Sequence, residues 1–195
     1  MKSREWTDVG TKLFLATLDG LADAELDAPS LLPGWSRRHV VAHVHHNAEA
    51  LRRLVSWAET GVENRMYANP EQRAAEIEAS AVLPAATLRA LVTHSADRLA
   101  ADFDALPAEV WSHKVITAQG RTVLAVEIPW MRAREVAVHA VDLDAGAGFA
   151  DLPNDLTAAL VADAVAKQNT HGNLPGLAAW LTGRTAEAPS LGRWL

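Results

Sequence analysis

The chain has 195 residues, of which 49% are hydrophobic and 22% are charged. These values are ordinary for one globular domain with a small appendage. A formal net charge of -6, without any block of Lys and Arg, argues against a nucleic-acid partner. No apolar run reaches membrane-spanning length, and "MKSREWTDVG" lacks the apolar core of a signal peptide. We therefore expect a cytoplasmic protein with neither a nucleic-acid nor a membrane partner.

The sequence contains no cysteine. Disulfides, a thiolate nucleophile from the protein and cysteine-ligated zinc sites are thereby excluded together. Any metal must be held by histidine and carboxylate side chains, and any thiol used in catalysis must come from outside the chain.

A first helix is predicted over residues 4–24, because apolar side chains recur along it at helical intervals. The loop "DAPSLLPGW" follows, and Ser36 has the side chain of an N-cap for a second helix that ends at Gly61. The apolar positions of the first helix are Trp6, Val9, Leu13, Leu15 and Leu18. Those of the second are Val40, Val44, Ala48, Leu51 and Val55.

The third and fourth helices are marked by their first residues. Asn69 is the predicted cap of "PEQRAAEIEAS", whose Pro70 takes the first helical position. Pro84 opens the next helix, "AATLRALVTHSADRLAADFDAL". The segment "WSHKVITAQGRTVLAVEI" alternates loosely and turns at "QG", which fits either a small hairpin or an extended loop.

A further amphipathic helix, "EIPWMRAREVAVHAVDL", covers residues 127–143. Beyond "DAGAGFADLP" we expect helices near 153–168 and 175–183. Four substantial helices with one apolar face each predict a mainly α protein, a four-helix bundle over residues 1–146. Residues 147–195 would form a small, mostly helical C-terminal extension.

Glu135 and His139 lie four residues apart on this helix, so their side chains share one face, one turn apart. Such a pair is commonly a solvated surface contact. It can also supply two ligands of a metal site, because two His and one carboxylate form a catalytic zinc set with an open coordination position. The sequence of the pair alone favours the surface contact.

A third ligand is available in the second helix, where "HVVAHVHH" holds four of the eight histidines. Histidine clusters on helices are more often solvated faces than ligand sources. Periodicity does not decide which histidine faces inward, because His43 and His45 lie at opposite margins of the apolar stripe. His43 shares its margin with Asn47 and Leu54, which favours it slightly.

Four segments together resemble a known family: "LLPGWSRRHVVAHVHHNAEAL", "MYANPEQRAAEIE", "ITAQGRTV" and "WMRAREVAVHAVDL". They are similar to the mycothiol-dependent maleylpyruvate isomerases, which belong to the DinB-type metal-binding four-helix bundles. The resemblance runs from about residue 28 to 150 and recurs weakly in "GLAAWLTGR" and "RWL". It implies zinc ligands at His43, Glu135 and His139. His39 and His46 are then expected to be surface residues.

The resemblance implies a zinc- and thiol-dependent cis-trans isomerase that converts maleylpyruvate to fumarylpyruvate. A thiolate adds to the cis double bond, the resulting single bond rotates, and the thiolate leaves. The thiol would be mycothiol, with glutathione or cysteine as alternatives, and the partners would be this thiol and a small diacid. Two neutral imidazoles and one carboxylate leave bound zinc a net positive charge, which stabilises a thiolate.

The dianionic substrate needs cations, and Arg73 and Arg184 match family positions associated with the active site. A guanidinium can hold a carboxylate through two parallel hydrogen bonds. Either residue also has a simpler explanation: Arg73 could pair with Glu76 along its own helix, and Arg184 could interact with a helix C-terminus. Arg132 and Arg134 flank the ligands and would be supporting or surface residues.

The resemblance implies that residues 147–195 correspond to a reduced part of the isomerases' C-terminal domain, because they keep two helices but lack the strands expected between them. The departure puts the identity of the thiol and of the substrate in question. Two other functions therefore stay open: a thiol S-transferase or hydrolase on the same metal bundle, and a metal-binding bundle without catalysis. No long heptad or apolar patch indicates an oligomeric state.

Overall fold

The computed structural model describes residues 1–169 and 174–191, and most of them are helical. The chain divides into two compact units, Met1–Asp151 and Leu152–Leu195. The first unit contains helices α1 (Lys2–Asp19), α2 (Arg37–Thr60), α3 (Pro70–Ala81), α4 (Ala85–Ala105) and α5 (Ile128–Asp142). Strands β1 (Lys114–Ile116) and β2 (Thr122–Leu124) precede α5. The second unit contains α6 (Asn154–Asn169) and α7 (Leu174–Leu181).

The long helices α1, α2, α4 and α5 form the predicted four-helix bundle. Helix α1 packs against α5, α5 against α2, α2 against α4, and α4 returns to α1. The short helix α3 packs against α2. The prediction of a mainly α four-helix bundle is therefore confirmed. None of the described helices is long and apolar enough to span a membrane.

The predicted helix ends of α2 and α3 are confirmed, because they depend on local chemistry. Ser36 is the N-cap of α2, and Gly61 ends that helix with a φ of 71°, a conformation that favours glycine. The Asn69 side chain accepts a hydrogen bond of 2.7 Å from the backbone N–H of Gln72. Pro70 occupies the first position of α3, where its missing N–H costs nothing.

Helix α1 differs from the prediction in both its end and its buried face. It stops at Asp19, and a separate 3₁₀ turn spans Asp23–Asp27. Its buried residues are Thr7, Gly10, Phe14 and Leu18, while Trp6, Val9, Leu13 and Leu15 are only partly buried. The cause is the close approach of α5, since a Cβ on Gly10 would lie 2.7 Å from Cγ2 of Val136. Hydrophobic periodicity does not detect a contact made by glycine.

The segment "WSHKVITAQGRTVLAVEI", for which the sequence allowed either a hairpin or an extended loop, forms a hairpin. Its strands are antiparallel, with Val115 opposite Val123, and both side chains are buried against one end of the bundle. Gly120 makes the turn with a φ of 78°. The hairpin therefore extends the core beyond the helices, and a 3₁₀ turn, Ala125–Glu127, connects it to α5.

The core of the bundle consists of two apolar clusters with a polar layer between them. Along α2 the first cluster ends at Val44 and the second begins at Ala48. Along α5 the second cluster ends at Met131 and the first begins at Val136. Glu135 lies between these limits together with the buried polar residues Asn47 and Arg132. His43 and His139 lie just outside the limits, beside residues of the first cluster.

Among the described residues of the second unit, the buried leucines are Leu152, Leu156, Leu160 and Leu177. Its described residues are helices and turns without a strand. That this unit corresponds to part of the isomerase C-terminal domain stays a prediction.

Candidate metal centre

Helices α2 and α5 bring together the three predicted metal ligands. Each of His43, Glu135 and His139 offers one ligand atom, and these atoms lie within 4.8 Å of one another. Nε2 of His43 is 2.9 Å from Oε2 of Glu135, and Nε2 of His139 is 3.4 Å from the same oxygen. Both histidines are at most 5% exposed. The pair on α5 is therefore not a surface contact, and the inward-facing histidine of α2 is His43.

The ends of α2 and α5 are tied together next to this cluster. Nε of Arg37, the first residue of α2, donates to the carbonyl oxygen of Leu143 at 2.6 Å. The backbone N–H of Leu31 donates to the carbonyl oxygen of Asp142 at 3.0 Å. These bonds connect the N-terminal end of α2 and the loop before it to the C-terminal end of α5. His43 and His139 face each other there, with ring centroids 4.7 Å apart.

His139 has one satisfied and one unsatisfied ring nitrogen. Its Nδ1 is 2.7 Å from Oδ2 of Asp142, one turn further along α5. Its Nε2 is buried and makes no hydrogen bond within residues 1–169 and 174–191, although Glu135 lies close by. A buried polar atom without a hydrogen-bond partner requires an explanation. A metal ligand oriented by a carboxylate on its other nitrogen is one such explanation.

His43 is held from both sides. Its Nδ1 lies 3.1 Å from Nη2 of Arg73, which projects from the first turn of α3. The guanidinium of Arg73 also lies over the ring of Tyr67, 5.8 Å from its centroid. Trp35 lies beside the His43 ring, with centroids 5.6 Å apart. The sequence places Arg73 on α3, and the structure places its guanidinium next to His43, one of the three predicted ligands.

The buried side chains change one another's protonation. Burial lowers the pKa of His43 to about 4, and the charges of His139 and Arg73 act in the same direction. Burial would also lower the pKa of His139, but its contacts with Asp142 and Glu135 outweigh this effect and raise it to about 9. Burial would raise the pKa of Glu135, yet the two histidines hold it well below its ordinary value. At neutral pH, without metal, His43 is neutral, His139 is cationic and Glu135 is anionic.

The amino-acid sequence matches the family model of the mycothiol maleylpyruvate isomerase N-terminal domain over residues 9–144. The chain belongs to this family. Its bundle and its buried His-Glu-His cluster agree with this membership, and the prediction of an isomerase enzyme is confirmed.

Solved structures of the family superpose closely. The crystal structure of the mycothiol-dependent maleylpyruvate isomerase is 42% identical, with a TM-score of 0.84, and the match covers 88% of this chain and 71% of that one. A histidine-to-alanine mutant of that isomerase matches over the same shares, with 41% identity and a TM-score of 0.83. No curated protein sequence matches the chain.

A more distant structure shares the fold. YfiT from Bacillus subtilis, described as a probable metal-dependent hydrolase with an unusual four-helix bundle topology, is 16% identical. Its TM-score is 0.59, and the match covers 82% of this chain and 87% of that one. This likeness concerns the architecture alone, and it agrees with the predicted DinB-like bundle.

Arg132, which the sequence predicted to be a supporting or surface residue, is fully buried. Its side chain is 1% exposed, and Nη1 donates to the carbonyl oxygen of Val44 and to Oδ1 of Asn47, each at 2.8 Å. Burial lowers its pKa to about 10, against the opposing charge of Glu135. The side chain therefore ties α5 to α2 inside the polar layer, one turn before Glu135. Since Leu and Val dominate buried helix faces, the sequence pattern does not reveal a core arginine.

His39 and His46 are not simple surface residues. His39 is half-buried between the Ser36 hydroxyl at 2.7 Å and Oε2 of Glu78 at 3.3 Å. Nε2 of His46 contacts the Ser80 hydroxyl at 2.8 Å. The expectation of surface positions is wrong because α3 covers this side of α2, and the tertiary position of a short helix is not readable from local sequence.

Arg184 lies just beyond α7, in the second unit. Its backbone N–H donates to the carbonyl oxygen of Ala179 at 2.7 Å, and its guanidinium donates to the carbonyl oxygen of Thr182. These are the contacts of a residue at a helix C-terminus. Its predicted role at the active site stays a prediction.

Proposed function

We propose that the chain is a zinc- and thiol-dependent cis-trans isomerase that converts maleylpyruvate to fumarylpyruvate. The observation that carries the proposal is the buried cluster of His43, Glu135 and His139, with one ring nitrogen of His139 lacking a hydrogen-bond partner among the described residues. Family membership supplies the reaction class, since the similar crystal structure is that of a mycothiol-dependent maleylpyruvate isomerase.

The donor set fits zinc. Imidazole nitrogen and carboxylate oxygen are ordinary zinc ligands, and three protein ligands are typical of a catalytic site, whereas structural sites have four. When bound, zinc would supply a Lewis acid that lowers the pKa of a thiol. The chain's own contribution is the placement of the ligands, with Asp142 orienting His139 and Arg73 lying beside His43.

The thiol must be an external molecule, since the chain has no cysteine. Its thiolate adds to one carbon of the cis double bond, and the electron pair moves into the adjacent carbonyl group. The carbon-carbon bond is then single and rotates. Elimination of the same thiolate restores the double bond in the trans form, so that no atom or electron is gained or lost.

Arg73 would hold a carboxylate of the substrate. Its guanidinium is next to a proposed ligand, half-buried, and positioned by the ring of Tyr67. A cation at this position favours a diacid substrate over the uncharged electrophiles that a general S-transferase would accept. Arg184 is the proposed partner of the second carboxylate.

The test follows the absorbance of maleylpyruvate in the ultraviolet, with purified protein, zinc and either mycothiol, glutathione or cysteine. Turnover is expected with at least one thiol and only when zinc is present. His43→Ala and His139→Ala should abolish turnover and lose the metal. His45→Ala, a substitution two residues from His43, should keep both turnover and the bound metal. Absence of turnover with all three thiols in metal-loaded protein would refute the isomerase proposal.

A further inference from the structure

The contacts of His43 fix which of its ring nitrogens carries the proton. A guanidinium has only donors, so Nδ1 of His43, at 3.1 Å from Nη2 of Arg73, must be the unprotonated acceptor. A neutral imidazole then carries its proton on Nε2. That atom faces the Glu135 carboxylate at 2.9 Å, which is an acceptor. Arg73 and Glu135 therefore require the same tautomer of His43. Its one lone pair in the ring plane is on Nδ1, where it accepts the hydrogen bond from Arg73.

A metal ion needs that lone pair. If the metal is bound through Nδ1, it takes the nitrogen on which Arg73 donates. If it is bound through Nε2, the proton must move to Nδ1, and this N–H then points at an N–H of Arg73. Two donors facing each other make no hydrogen bond. Whichever nitrogen is the ligand, the contact between Arg73 and His43 and the bond between His43 and the metal exclude each other.

We infer that Arg73 competes with the metal for His43, and that metal binding releases its guanidinium for the carboxylate of the substrate. The inference rests on the proposed function and adds an order of events to it: the metal binds first, and the diacid binds to the arginine that the metal has set free. Arg73 is then a positioning residue before metal uptake and a substrate-binding residue afterwards.

The surroundings of Arg73 permit this movement. It belongs to the first turn of α3, and its side chain is half-buried. The ring of Tyr67 lies 5.8 Å from the guanidinium carbon, a distance typical of a cation-π contact. Because this contact does not involve His43, it can hold the guanidinium near the site after the hydrogen bond to Nδ1 is lost.

The test measures the zinc affinity of the substrate-free protein by competition with a chromophoric chelator, at one pH and one ionic strength. Arg73→Met removes the competitor, and a hydrogen bond that involves a charged group corresponds to about ten- to hundredfold in an equilibrium constant. We expect Arg73→Met to bind zinc tighter by roughly this factor. Its turnover should fall at the same time, because the substrate carboxylate loses its partner.

Arg53→Met is the matched control. Arg53 carries the same charge, acts on Tyr67 through that charge, and donates to the carbonyl oxygen of Met66 without contacting His43. Its exchange should change zinc affinity by less than about threefold, as expected for a screened charge. Equal gains in the two variants would show a general charge effect and overturn the inference, as would an unchanged or weaker affinity of Arg73→Met.

Two further results separate the inference from the proposed function. Zinc that fails to bind to the wild-type protein would refute the proposed metal site, and the competition with it. Zinc that binds equally well to wild type and Arg73→Met would refute only the competition. In addition, ¹⁵N NMR of the metal-free wild-type protein should find the His43 proton on Nε2, and a proton on Nδ1 would overturn the inference without any variant.

Discussion

Asp142→Asn isolates the contribution of one carboxylate to the proposed metal site. Asparagine has the same shape and can still accept a hydrogen bond from Nδ1 of His139, at 2.7 Å in the structure, so the exchange removes mainly the charge. Carboxylates that orient metal-bound histidines contribute about ten- to hundredfold in metal affinity. We expect Asp142→Asn to bind metal about ten- to hundredfold more weakly at a pH where His139 is already deprotonated.

The loss of metal affinity in Asp142→Asn depends on pH. With a pKa of about 9, His139 must release a proton before it binds metal, which weakens apparent affinity about 100-fold at pH 7 and by about tenfold for each further unit downward. Asp142 contributes to that raised pKa. In Asp142→Asn the proton on His139 is therefore easier to displace. At lower pH this gain offsets part of the variant's loss of metal affinity.

The assay is competition with a zinc chelator at pH 6.5, 7.5 and 8.5. The loss in Asp142→Asn relative to wild type should grow with pH. Asp27→Asn is the control, because Asp27 pairs with Arg38 through an exposed carboxylate and has no contact with the three ligands. Wild-type affinity in Asp142→Asn at pH 8.5, or an equal loss at all three values, would contradict the assigned role of Asp142.

Three more predictions follow from the packing and protonation of the bundle. Gly10→Ala should lower the free energy of unfolding by about 1–3 kcal/mol in urea titrations, because its Cβ would lie 2.7 Å from Val136, and a change below about 0.5 kcal/mol would contradict the close contact of α1 and α5. The metal-free protein should be most stable near pH 6.5. The pKa of His139 is raised from 6.5 to about 9, so the stability that its proton gives the folded state is lost as the pH rises towards 9. The pKa of His43 is lowered from 6.5 to about 4, so the folded state loses stability as the pH falls from 6.5 towards 4. Stability that rises steadily to pH 9 in the presence of a chelator would contradict these protonation states. One proton should be released for each zinc bound at pH 7, as measured by calorimetry in buffers of different ionisation enthalpy, and release of none would place the proton elsewhere.

Features with a local cause could be predicted from the sequence. The ends of α2 and α3 depend on Ser36, Gly61, Asn69 and Pro70, each of which acts on its immediate neighbours. The shared face of Glu135 and His139 follows from helical spacing, and Asp142 could have been found by the same spacing, three residues beyond His139.

Features made by contacts between helices could not be predicted in this way. His43 lies at the margin of an apolar stripe, where periodicity favours it over His45 only slightly, and the resemblance to a family supplied the stronger argument. The buried face of α1 depends on Gly10, whose missing side chain produces no hydrophobic signal. The contact between Arg73 and His43 joins residues 30 positions apart and depends on where α3 lies on α2.

Zinc K-edge X-ray absorption of the loaded protein tests the central claim most directly, since it reports the atoms bound to the metal. We predict two imidazole nitrogens and a carboxylate oxygen from the protein, and one sulfur at about 2.3 Å after the thiol that supports turnover is added. A spectrum with four protein ligands that does not change on addition of thiol would contradict a thiol-dependent metal centre at His43, Glu135 and His139.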